Sequence, residues 1–129
     1  MPQPQTITTL GAAAPAAHYS QARVHDGVVY TAGAIGVDPE TGSLVDGGVE
    51  GQTHQALANL RAVLDAAGSD FSHVLKANCY LAHTADFAAF NTAYAAVVGD
   101  EPPPRTTVGA GFPDPNLLVE IEMIAAVAG

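Results

Sequence analysis

The sequence predicts one α+β domain, with two helices packed on one face of a mixed sheet. Three observations predict it. Strand-like and helix-like patterns succeed one another as strands, helix, strand, helix and two strands. Both helical segments carry an apolar stripe on one side only. The last segment alternates a fully apolar set of residues with a mixed one, as a strand covered on one face would.

The elements follow in order. Residues 1–15, and the chain on to Tyr19, are rich in Ala, Pro and Thr and predict an extended, loosely held N-terminus to a domain spanning 1–129. Val28-Val29-Tyr30-Thr31-Ala32-Gly33 reads as a strand, β-branched and aromatic up to a terminating glycine. Asp38 to Gly42 is a turn by composition. Val49 to Ala67 is the clearest helix. Val49, Ala56, Leu57, Leu60, Val63, Leu64 and Ala67 share a face, with Gly68 as the left-handed stop. Gln52, Gln55, Asn59 and Asp65 are expected mostly elsewhere on it. Val74 to Leu81 reads as a strand. Ala85 to Val98 reads as a helix with Phe87, Phe90, Tyr94, Val97 and Val98 as its stripe. Pro102-Pro103-Pro104 forces an extended approach to a strand from Arg105 to Ala110, and Leu117 to Val127 is the last strand.

The bulk properties narrow the function. The chain has 129 residues, enough for one buried core without disulfides or a structural metal. Its single cysteine, Cys79, excludes an intramolecular disulfide and suits a reducing compartment. No signal peptide and no membrane-length apolar stretch is visible, so a cytoplasmic protein is expected. Four Lys and Arg stand against thirteen Asp and Glu, a formal net charge of −9. Such a balance, with Arg23, Arg61, Lys76 and Arg105 scattered along the chain, argues against nucleic-acid binding. The histidines at 18, 25, 54, 73 and 83 lack metal-ligand spacing, and Ser20 lacks an evident histidine–acid set. Cys79 is expected to be a small core residue rather than a nucleophile.

The chemistry concentrates in the final strands. Alternation places Leu117, Val119, Ile121, Met123, Ala125 and Val127 toward the helices, and Leu118, Glu120, Glu122 and Ile124 away from them. The second face is either plain solvent-facing surface or, being both apolar and charged, a subunit interface or pocket. Arg105, just after three prolines on what is expected to be the neighbouring strand, is either an ordinary surface arginine or a partner of Glu122. Otherwise it is a pre-aimed fork for a carboxylate or phosphate.

The ordered set of short matches changes this balance. Tyr19-Ser20-Gln21-Ala22, Val29 to Gly33, Asp38 to Gly42, Gln52-Thr53, Ala56 to Leu60 and Asp86-Phe87 come first. Asn91 to Tyr94, Pro103-Pro104-Arg105-Thr106-Thr107-Val108 and Val119-Glu120-Ile121-Glu122 follow. Together they resemble the RidA family, also called the YjgF/YER057c/UK114 family of reactive-intermediate deaminases, from about Pro15 to Val127. The resemblance implies a chorismate-mutase-like fold with a mixed six-stranded sheet and a homotrimer around a central barrel. It implies active sites in clefts between subunits and hydrolysis of enamines and imines such as 2-aminoacrylate and 2-iminopropanoate to 2-keto acids and ammonia. No cofactor, metal, membrane or nucleic-acid partner is implied.

Residue by residue, Arg105 matches the clamp for the substrate carboxylate and Glu120 the glutamate that positions water. Tyr19 matches a tyrosine lining the cleft. Gly33 and Thr107 match ligand-contacting backbone positions, and Phe87 and Asn91 match the pocket wall. The family's usual Ser-Gly-Gln-Ile-Pro is Ala32-Gly33-Ala34-Ile35-Gly36 here, and its Gly-Pro before the tyrosine is Ala17-His18. A roomier, less polar pocket, open to His18, is therefore expected. Competing readings are a deaminase for a larger imine, a non-catalytic keto-acid sensor or holdase, and an endoribonuclease.

Overall fold

The computed structural model describes residues 3–129. It contains β1 (Gln5–Ile7), β2 (Ala22–His25), β3 (Val28–Thr31), α1 (Gly48–Ala66), β4 (Val74–Leu81), α2 (Phe87–Val98), β5 (Arg105–Gly109) and β6 (Val119–Ala126). The six strands form one sheet in the order β1-β2-β3-β6-β4-β5. β4 and β5 run parallel, with α2 as their crossover, and the remaining pairs are antiparallel. The predicted α+β fold with both helices on one face of a mixed sheet is therefore observed.

The core lies between that face and the helices. Val119, Ile121, Met123 and Ala125 of β6 and Ala77, Cys79 and Leu81 of β4 are buried against Ala56, Leu57, Leu60 and Leu64 of α1 and Phe90 of α2. α1 ends in a Schellman motif. Gly68 takes φ 79°, its N–H donates to the Asp65 carbonyl, and the Ser69 N–H donates to the Leu64 carbonyl. Three residues before Phe87 the chain forms a short 3₁₀ turn, Thr84–Asp86, where the sequence predicts helix.

Three expectations are corrected. The N-terminal segment is not loosely held. Gln5–Ile7 pairs with β2, Ile7 and Ala12 are buried, and the Thr9 N–H donates to the Gln21 side chain at 2.7 Å. Gln52 and Asn59 do not lie on the polar side of α1. Both are buried because loop backbone satisfies them. Gln52 bridges the Asn116 carbonyl and the Leu118 N–H, and Asn59 donates to the carbonyls of Ile35 and Val37 at 3.0 and 2.9 Å. Finally, β5 is not the neighbour of β6. β6 inserts between β3 and β4, so β4 separates the strand of Arg105 from that of Glu120.

Candidate functional site

The expected site residues fall into two groups on opposite faces of the sheet. Arg105, Thr107 and Gly109 stand beside Ala77, Cys79 and Leu81 in the parallel ladder, on the helix-facing side. The Arg105 guanidinium carbon lies 4.7 Å from the ring centroid of Tyr94, 5.3 Å from that of Phe90 and 5.7 Å from that of Phe87. The rings pack on one another, with Phe90 and Tyr94 centroids 5.6 Å apart. Among the described residues the ion pairs are His25–Asp26 and His73–Asp70, so Arg105 has no acidic partner and the alternative of a bridge to Glu122 is set aside. Glu122 is on the other face.

The surroundings of Arg105 are otherwise apolar or neutral. The hydroxyls of Tyr94 and Thr107 are buried without a hydrogen-bond partner. Burial pushes the Tyr94 phenol up to about 12, against a smaller opposing effect of Arg105, so it remains a neutral donor. A cleft of about 320 Å³ opens between Arg105, Tyr94, Val98, Pro102 and Pro103. Asn91 is exposed on α2, one turn beyond Phe87. Cys79 is fully buried in the same region and its thiol is pushed up to about 12 by desolvation, which suits the expected core role.

The second group surrounds Glu120. Ala34 exchanges two backbone hydrogen bonds with Ile121, at 2.7 and 3.0 Å, and this isolated bridge lays Gly33 against the Glu120 side chain. A Cβ on residue 33 would collide with the Glu120 carboxylate as it stands, so any larger residue there would displace that side chain. Glu120 is half-buried, and its carboxyl is raised above the usual glutamate range by desolvation first and by Glu122 second. Tyr19 is 47% exposed, and its hydroxyl accepts a hydrogen bond from the Ala16 N–H at 3.2 Å. His18 is exposed and lines an open groove with Tyr19, Arg23 and Tyr30.

A cavity of about 290 Å³ is lined by Tyr19, Ala32, Gly33, Ala34 and, from α1, Leu60 and Val63. Ala32 and Ala34 both line this cavity. Gly36 does not. A Cβ there would come within 2.6 Å of the Gln52 Cα, so this glycine serves close packing on α1 rather than pocket room. The cavity includes no residue of β5 or β6, so Glu120 does not line it, and the cleft at Arg105 includes none of β6.

The sequence reading therefore names residues that one protomer does not bring together. It also passes over four that touch them: Phe90 and Tyr94 beneath Arg105, and Tyr80 and Asn78 beside the paired glutamates. For the first two a signal was available, since Phe87, Phe90 and Tyr94 form one apolar stripe on α2.

A family model described as Endoribonuclease L-PSP matches residues 9–127. The chain belongs to this family, the RidA family. It is 42% identical over 119 residues to the RutC family protein UK114 of Drosophila melanogaster, covering 92% of this chain and 86% of that protein. It is 40% identical over 119 residues to the 2-iminobutanoate/2-iminopropanoate deaminase of Capra hircus, covering 92% and 87%. The crystal structure of RidA from the Antarctic bacterium Psychrobacter sp. PAMC 21119 superposes with a TM-score of 0.90 at 36% identity, covering 95% of this chain and 99% of that one. In this RidA-family fold, an arginine with no acidic partner among the described residues can hold a small carboxylate, and a half-buried glutamate raised above its usual range can exchange a proton.

Proposed function

We propose that this chain is a deaminase that hydrolyses 2-imino acids and their enamine tautomers, of the 2-iminopropanoate and 2-aminoacrylate type, to 2-keto acids and ammonia. The observation that carries the reading is the Arg105 guanidinium, stacked on aromatic rings and bound to no acid. Similarity to proteins named 2-iminobutanoate/2-iminopropanoate deaminase supports it.

The two half-sites lie on opposite faces of one sheet, so the proposed site forms between protomers of a homotrimer, Arg105 of one facing Glu120 of the next. Arg105 binds the substrate carboxylate through two parallel hydrogen bonds, with Thr107, Phe87 and Asn91 around it. This fixes the imine carbon relative to a water held by Glu120 and bounded by Gly33 and Tyr19. The water adds to the carbon as Glu120 accepts its proton and passes it to nitrogen, giving a carbinolamine. The new hydroxyl then gives its remaining proton to nitrogen by way of Glu120, the carbon–nitrogen bond breaks, and keto acid and ammonia leave. One imine and one water are consumed, and no electron changes hands. A cytoplasmic enzyme meeting imines as they leave other active sites suits this role.

The test adds the protein to a dehydratase or amino-acid oxidase that releases imine. Keto acid should form faster, and Arg105→Ala should lower the protein-dependent kcat/KM by about 100-fold, the scale of losing charge-assisted hydrogen bonds. No acceleration with imines from several amino acids would overturn the reading in favour of a sensor. The ribonuclease description of the family is not adopted. The net charge is −9, Arg61 stacks on Phe71, Lys76 binds Thr106 and Arg105 sits on its rings, so no basic track exists among the described residues.

A further inference from the structure

The face that carries Glu120 holds a second carboxylate in different surroundings. Glu122 follows two residues along β6 on the same face, which sets the two Cα atoms about 7 Å apart. Glu122 Oε1 accepts a hydrogen bond from the Tyr80 hydroxyl at 2.5 Å and a longer one from Asn78 Nδ2 at 3.4 Å. Both donors stand on β4, where Asn78 pairs with Glu122 and Tyr80 with Glu120. Tyr80 thus reaches diagonally past its own ladder partner. Glu120 packs against Gly33 and receives no such donor among the described residues.

We infer that Tyr80 and Asn78 fix the Glu122 carboxylate in place beside Glu120, so that Glu122 is a positioning residue and Glu120 the carboxylate that exchanges the proton. The catalytic part of this inference rests on the proposed deaminase reading, whereas the coupling between the two glutamates is a property of the chain. The two donors fix where the Glu122 carboxylate sits. The neighbouring anion then adds to the burial that already disfavours ionised Glu120. Two close carboxylates in unlike environments separate the proton-exchanging role from the electrostatic one.

The other groups on this face do not cancel the effect. Gly33 and the Thr31 hydroxyl, which accepts from the Met123 N–H, are neutral. Tyr30 stands on β3 opposite Ile124, and Arg23 is one strand further out on β2. Lys76 on β4 directs its ammonium to the Thr106 hydroxyl at 3.0 Å. Within one chain the charged group acting on Glu120 is Glu122; in the proposed trimer Arg105 of the next protomer opposes it, equally in the wild type and in both variants.

The test compares the full-length protein with Glu122→Gln and Tyr80→Phe. The Glu120 carboxyl is titrated by carbon-13 NMR, its signal assigned by its loss in Glu120→Gln, and kcat/KM is followed against pH with 2-iminopropanoate generated in situ. Glu122→Gln should lower the Glu120 midpoint by about one pH unit, the scale for removing a like charge at this separation. The acid limb of kcat/KM should move the same way, with the upper plateau kept within several-fold. Tyr80→Phe should shift both in that direction by less, because Glu122 is then no longer held beside Glu120 by that hydroxyl. An unmoved Glu120 midpoint in folded Glu122→Gln overturns the inference, as does loss of the plateau without any shift. Should Glu122→Gln fail to fold, Tyr80→Phe decides by the same titration. Should the wild-type protein accelerate no imine hydrolysis, the deaminase reading falls, and the NMR midpoints still decide the coupling.

Discussion

Arg105 owes its availability to what it lacks. A guanidinium paired with a buried acid would spend its fork inside the protein. Stacked on Tyr94, Phe90 and Phe87, it is stabilised through the ring faces while its N–H groups stay unclaimed. Glu120 is tuned in the opposite direction, toward its protonated form. As the proposed base it would work when ionised, so activity should fall as pH drops through its raised midpoint. The kcat/KM profile is expected to turn down on the acid side above the ordinary glutamate value of about 4.3, and Glu120→Gln should remove that limb along with most of the protein-dependent rate. A rate profile between pH 4 and 8 checks both points. At this scale the sequence reveals the residues but not their directions. Arg105, Thr106, Thr107, Val108 and Gly109 show no contrast of apolar and polar faces, so nothing in the strand itself says which side Arg105 takes.

Among the elements, β4 was legible to the residue, and α1 and β6 to within a residue or two, because each has a long, regular apolar pattern. β1 and β2 were not, being three and four residues with mixed character. The one available sign was Asp26-Gly27, whose φ values of 50° and 75° make the two-residue turn of the β2–β3 hairpin. Strand order was also out of reach, since insertion of β6 between β3 and β4 depends on pairing between segments far apart in the chain. The polar residues of α1 show how tertiary contacts override an amphipathic pattern. Asn59 binds the Ile35 and Val37 carbonyls and accepts from the Ala13 N–H, which ties both loops beside Gly33 to the helix. Asn59→Ala should lower unfolding free energy by about 2–3 kcal/mol by stranding buried backbone groups. Urea denaturation at fixed protein concentration measures it.

For the whole molecule, the proposed reading makes assembly the condition for activity, because Arg105 and Glu120 lie on opposite faces of the sheet. Light scattering should give a mass three times the 13.1 kDa chain. A sharper test follows from geometry. Arg105→Ala and Glu120→Gln proteins, each inactive alone, should regain about one quarter of wild-type activity when unfolded together in equal amounts and refolded, because random trimers pair an intact arginine with an intact glutamate at that frequency. No recovery would place both groups in one chain's site. Cys79 carries a different consequence. Its sulfur sits in the centre of the sheet, sealed from solvent and held as thiol. Alkylating reagents should therefore leave the native protein unlabelled for as long as the sheet stays closed, and the slow appearance of the adduct becomes a clock for global opening, needing no introduced probe.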